Sequence, residues 1–264
     1  MSFVESTSPG SISIGLIPRD ELWEVQRALL FYRRDKLGGY EFSVRCRGSR
    51  RRWQIANDNI VVNIDGGFAR FAGAYDINAD LVSSCASMSA RPSLTEITID
   101  GRSVIATTPA GTTTMSGGMV NTEFRVIQVS RAVEAQISQG CLDILAETCP
   151  AIPDLPDDID EVRDKFPIAS ISIGDNALSF SGKSNRFGYN SVTTTVSAIT
   201  SGHGDISCLA KYLSHTLDVF WFDRKEPGVT IAFDPAGGEF IEFSTKAVNI
   251  VFRSTRVESG AKLK

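Results

Sequence analysis

Apolar and polar residues alternate in four stretches of this chain, and a turn interrupts each one. In "EITIDGRSVIAT" (96–107), Ile97 and Ile99 precede an Asp100-Gly101 turn and Val104 follows it. "SISIGDNALSFS" (170–181) places Ile171 and Ile173 before its turn, then Leu178 and Phe180 after it. "TIAFDPAGGEFIEFS" (230–244) repeats the rhythm around a longer turn. "YEFSVRCRGSRRRWQI" (40–55) does so around a basic loop, with Tyr40, Phe42 and Val44 alternating. Period-two alternation around Gly- or Asp-containing turns predicts antiparallel hairpins with one buried face. Four copies in one chain predict an internal repeat.

A helix-like segment precedes each hairpin. The first, 18–36, opens with Pro18 and the acids Asp20 and Glu21, which suit the positive end of a helix, and Gly38-Gly39 stops it. The second is expected over 76–90. The third spans 130–148 with Ser130 as its cap, and the fourth 204–219 with Asp205 as its cap. Strands are expected at 11–17, 59–65, 68–75, 123–129 and 191–200. Two strand–helix–hairpin units fall before the Gly-rich "MSGGMVN" (115–121) and two after it, so that stretch is read as the boundary between domains 1–117 and 122–264. Strand runs with two segregated helices per domain define an α+β class. Residues 149–166, rich in Pro and Asp, read as an exposed acidic insertion.

Helical spacing sorts the faces. Leu22, Val25, Ala28, Leu29 and Tyr32 form the apolar stripe of the first helix, while Trp23, Arg27, Leu30 and Arg34 lie on another face. The third helix is expected to bury Val133, Ile137, Cys141 and Ile144 and to expose Arg131. On the fourth, Lys211 and His215 share the outer face while Leu209, Leu213 and Leu217 point inward. The second exposes Ser83, Ser84 and Ser87.

Bulk properties narrow the functional classes. The 264 residues carry a net charge of −4, and the pI is near 5.3. That excludes a surface that is basic throughout but leaves room for a basic strip on an acidic body. No apolar run approaches the roughly 20 residues of a membrane span, and the first ten residues lack the pattern of an export signal. A cytoplasmic location is expected. The five cysteines never fall as CxxC and read as reduced thiols, and neither metal nor cofactor is expected. The two histidines, His203 and His215, form no catalytic set, and GxSxG, Walker and HExxH motifs are absent, so no enzyme is expected.

The order of repeats over about 11–257, clearest at 204–257, resembles the DNA sliding clamps. Their domains each hold two strand–helix–hairpin repeats, and their helices line a ring. The resemblance implies two clamp domains per chain, a homotrimer closing into a ring, and a processivity factor. Such a factor encircles double-stranded DNA without sequence preference and tethers DNA polymerase and other DNA-processing enzymes, with a clamp loader as a further partner. It implies DNA-facing roles for Arg27, Arg34, Arg131, Lys211 and His215. A partner-peptide pocket would involve Met119, Val120, Val251 and Phe252. The β-rich, uncharged "TTPAGTTTMS" (107–116) is the expected intersubunit edge, centred on Thr112, Thr113 and Thr114.

Bland readings stand beside these. The arginines of the first helix equally suit a solvated face. "RCRGSRRRWQ" (45–54) is either a nucleic-acid patch or a soluble hairpin tip. A non-enzymatic β-rich assembly protein, for example a phage particle component, is the alternative function.

Overall fold

The computed structural model describes residues 11–33, 43–47, 50–56, 59–69, 74–88, 94–119, 124–148, 168–184, 190–222 and 228–255. The chain divides into two units, residues 1–57 with 61–126, and residues 58–60 with 127–264.

In the first unit, β1 (Ser11–Pro18) leads into α1 (Arg19–Arg33), then β2 (Ser43–Arg47), β3 (Arg50–Ala56) and β4 (Ile60–Phe68). A second pass follows: β5 (Ala74–Asn78), α2 (Ala79–Met88), β6 (Leu94–Asp100), β7 (Ser103–Thr108) and β8 (Gly111–Met119). Within this unit the strands run in the order β1-β6-β7-β8-β5-β2-β3-β4. Each repeat gives its opening strand to the other. β1 pairs with β6, the first hairpin strand of the second repeat, and β5 pairs with β2, the first hairpin strand of the first.

The second unit repeats this exchange. Its elements are β9 (Val133–Ser138), α3 (Gln139–Thr148), β10 (Ile168–Gly174), β11 (Ala177–Ser184), β12 (Asn190–Ser197) and the short β13 (Ile199–Ser201). They continue with β14 (Gly204–Leu209), α4 (Ala210–Phe222), β15 (Gly228–Phe233), β16 (Phe240–Ser244) and β17 (Val248–Arg253). Here β9 pairs with β15 and β14 with β10. All these pairings are antiparallel, and α1 packs on α2 as α3 packs on α4.

The hairpins follow their turn chemistry. Asp175 and Asn176 both adopt positive φ (52° and 59°), and Gly174 pairs with Ala177, which makes a two-residue turn matched to strand twist. Gly101 (φ 62°) serves between Asp100 and Ser103. Alternation holds through the core: Ile97 and Ile99, Val104 and Ala106, Ile171 and Ile173, and Leu178 and Phe180 are all buried.

Three helices start later than expected, each for the same reason. Residues 74–78, 133–138 and 204–209 are strands β5, β9 and β14, so the helices begin at Ala79, Gln139 and Ala210. In "VEAQIS", Val133 and Ile137 satisfy a helical i, i+4 spacing, but the burial of Ala135 between them is that of a strand. The true caps therefore differ. Asn78 Oδ1 accepts from Asp80 N at 2.8 Å, and Ser138 Oγ accepts from Cys141 N at 3.4 Å. The later start rephases α3, which buries Leu142 and Leu145 and leaves Ile144 50% exposed. Leu209 ends β14, and Ser83 is buried rather than exposed. Pro18 closes β1, and the strand expected at 123–129 is irregular chain from 124 onward. Met115–Met119 of the expected linker continue β8. The acidic insertion at 149–166 lies outside the described residues.

Candidate nucleic-acid interface

The fold pairs two arginines of the basic cluster at 45–54, Arg51 and Arg52, with carboxylates. Arg51 is buried and donates Nε to Glu21 Oε1 and Nη2 to Glu21 Oε2, both at 2.8 Å. Trp53 Nε1 donates to the same Oε1 at 2.7 Å, and the Gly67 amide to Oε2 at 3.2 Å. Arg51 Nη1 also donates to the Phe68 carbonyl. Gly66 is needed for this approach, because a Cβ there would lie 2.6 Å from Glu21 Cδ and 3.1 Å from Trp53 Nε1. Of the neighbours, Arg52 pairs with Asp65 at 2.8 Å, and Arg50 lies over the exposed Phe68 ring at 5.9 Å. The side chains of Arg45 and Arg47 lie outside the described residues.

On α1, Arg19, Trp23 and Arg27 recur every four residues and so share one face. Trp23 is 39% exposed, and its Nε1 donates to the Ala86 carbonyl of α2 at 2.8 Å, which pins the indole across the helix pair. The guanidinium carbons of Arg19 and Arg27 lie 4.9 Å and 5.6 Å from its ring centroid. Partial burial lowers the pKa of Arg27, with Glu24 opposing that shift. Arg34 falls outside the described residues.

Two expected DNA-facing residues sit differently. Arg131 precedes β9 instead of lying on a helix, and it forms a bidentate pair with Glu242. Nε to Oε2 is 3.0 Å and Nη2 to Oε1 is 2.9 Å, with Glu134 a further 3.5 Å away. The bond from Glu242 is the main cause raising its pKa. A partner 111 residues away in sequence thus holds the charge of Arg131. His215 is only 7% exposed, because α4 also buries Tyr212, Leu213, Thr216, Leu217, Val219 and Phe220 and leaves little outer face at that position. Lys211 is half-buried, with Nζ 5.3 Å from the Tyr212 ring centroid.

Charge along the helices is not basic. α1 to α4 together hold four basic residues, Arg19, Arg27, Arg33 and Lys211, against seven acidic ones. α1 supplies three of the four and α4 the other, while α2 and α3 supply none.

Thr112 and Thr114 of β8 are exposed and Thr113 is half-buried. β8 pairs with β7 from Gly111 to Ser116 but with β5 only from Gly117 to Met119. Its other side is therefore unpaired over Gly111–Met115 among the described residues. Val251 and Phe252 are core residues, 3% and 0% exposed, and Phe252 stacks on Phe243 at 5.7 Å between ring centroids. Phe252 is covered from α4, whose Tyr212 ring lies 5.9 Å away, and β17 pairs with β16 through both residues. Val120 and the side chain of Met119 lie outside the described residues. Among the described residues no group of three or more His, Cys, Asp or Glu is placed to hold a metal ion, and no helix is long and apolar enough to cross a membrane.

Comparison with solved structures gives the fold its class. The DNA polymerase III beta subunit of Thermotoga maritima matches with a TM-score of 0.73 at 14% identity, over 95% of this chain and 66% of that one. A DnaN sliding clamp from Pseudomonas aeruginosa matches at 0.74 and 13%, over 96% of this chain and 67% of that one. The Proliferating Cellular Nuclear Antigen of Entamoeba histolytica matches at 0.65 and 11%, over 93% of this chain and 98% of that one. The fold is a sliding-clamp fold. The chain spans about two thirds of the bacterial chains and nearly all of the amoebal one. No protein-family model and no curated protein sequence matches it.

Proposed function

We propose that this protein is a non-enzymatic DNA sliding clamp. Three copies close a ring of six clamp units around duplex DNA and tether a DNA polymerase or repair enzyme, with a clamp loader to open the ring. The observation that carries the reading is the exchange of opening strands in both units, within a sliding-clamp fold. Such a protein works beside DNA, in cytoplasm, nucleoid or nucleus.

The edges support ring closure. β8 offers Thr112–Thr114 in the first unit, and β12, which ends its sheet, offers Thr193–Thr195 in the second. Neither run carries a charge or a proline, the usual devices that keep edges apart. Edge β1, by contrast, has a bulge between Ser13 and Gly15 and ends in Pro18, and β14 carries Asp205. Pairing β8 of one copy with β12 of the next is head-to-tail, and such contacts close into rings when the rotation permits.

The excess of acidic over basic residues on the helices favours the second reading, a β-rich assembly protein that does not hold DNA. One experiment separates them. Protein incubated with nicked circular duplex is isolated with the DNA at moderate salt, and the circle is then cut by a restriction enzyme. A clamp stays on the circle and slides off the linear product. Equal retention on both forms, or none on either, contradicts the clamp.

A further inference from the structure

We infer that Trp23 is a positioning residue for DNA contact, holding Arg19 and Arg27 together as one preformed phosphate-binding pair on α1. The inference rests on the sliding-clamp reading above. Eight residues of helix separate the two arginines by about 12 Å of rise, so two extended side chains of like charge would diverge in water. Here both guanidiniums lean on one indole, and their centres are no farther apart than the sum of 4.9 Å and 5.6 Å. The indole is itself fixed by its bond to the Ala86 carbonyl at 2.8 Å, so the whole ladder is anchored to α2.

Three further features fit such a ladder. Trp23 keeps 39% of its surface exposed, too much for a core tryptophan. Arg19 Nε is shielded and has no hydrogen-bond partner among the described residues, as a guanidinium flat on a ring would be. Ser87, the residue after the Ala86 that holds the indole, is exposed. Planar guanidiniums bind phosphate in fixed geometry, and ordering them beforehand removes the side-chain entropy that each contact would otherwise cost. A clamp whose helices carry more acidic than basic residues can thus hold DNA through a few well-ordered arginines.

The test is binding of the full chain to a short fluorescein-labelled linear duplex at low salt, followed through a salt titration. Trp23→Leu keeps every charge yet should weaken binding about tenfold, as expected from losing two cation–π contacts. Trp23→Phe, which keeps a ring, should restore most of the affinity. The double variant Arg19→Ala/Arg27→Ala should weaken binding further and flatten the salt slope by up to about two contacts per chain. Melting temperature and solution mass should match the parent in all three. Parent-like binding by Trp23→Leu overturns the positioning role while leaving the clamp reading intact. A parent that binds no DNA at low salt and leaves the circle unoccupied overturns both.

Discussion

Glu21 and Arg51, thirty residues apart in sequence, meet in the interior as a bidentate pair with both bonds at 2.8 Å and side-chain exposures of 8% and 3%. The pair ties the first turn of α1 to β3, and Trp53 and the Gly67 amide complete the carboxylate's bonds. Breaking a buried pair from one side leaves an uncompensated charge, which costs about 3–5 kcal/mol. Glu21→Ala and Arg51→Ala should each lose that much in urea unfolding. The double variant should lose far less than the sum, which a double-mutant cycle measures. Additive losses would mean that the two side chains do not act as a pair.

Arg131 should contribute little to DNA binding, because Glu242 and Glu134 already hold its charge. Arg131→Ala is expected to leave duplex affinity and its salt slope unchanged. It should lower stability by about 1 kcal/mol, the upper range for a partly exposed pair. A clear loss of affinity would place this arginine on the DNA after all.

Cys85 has 0% exposure, and burial pushes its thiol up to about 11 from 9.0. The folded state therefore keeps the proton that the unfolded state releases. Stability should be independent of this group below pH 9 and fall as pH rises from 9 towards 11. In the native protein Cys85 should resist iodoacetamide at neutral pH while the half-buried Cys141 reacts, as read by peptide mass spectrometry. Equal labelling would show that the α2 core opens readily.

The edge of β8 can be tested residue by residue. Thr108 and Gly111 close a two-residue turn, so ladder bonds to β7 alternate from that pair. Thr113 then points its N–H at β7, while Thr112 and Thr114 point theirs outward. Thr114→Pro should remove an outward donor and dissociate the assembly while the chain stays folded. Thr113→Pro should instead damage the β7 ladder and lower the melting temperature. An unchanged mass for Thr114→Pro would place the intersubunit edge elsewhere.

Much of this was legible in the sequence because hairpins announce themselves locally. Asp100-Gly101 and Asp175-Asn176 carry the turn chemistry that two-residue loops need, and the alternation beside them sets the buried face. The strands before α2, α3 and α4 were expected too early in the chain, since Ile77, Val133 and Ile137, and Ile206 and Cys208 sit next to helices and extend their apolar pattern. The ion-pair partners were illegible for a different reason. Nothing near Arg131 in sequence points to Glu242, and nothing near Arg51 points to Glu21, because only the fold brings them together. His215 follows Lys211 by one helical turn, but burial depends on what packs over α4. Helical spacing put Trp23 and Arg27 on one face, but nothing in the sequence pointed to Arg19 or to the bond from Trp23 to Ala86.

The measurement that bears most directly on the clamp account is solution mass by light scattering over a wide range of protein concentration. A chain of 28.6 kDa that closes a six-unit ring should reach three times that mass and stay there. A mass that remains at one chain, stops at two, or climbs without limit would contradict the account.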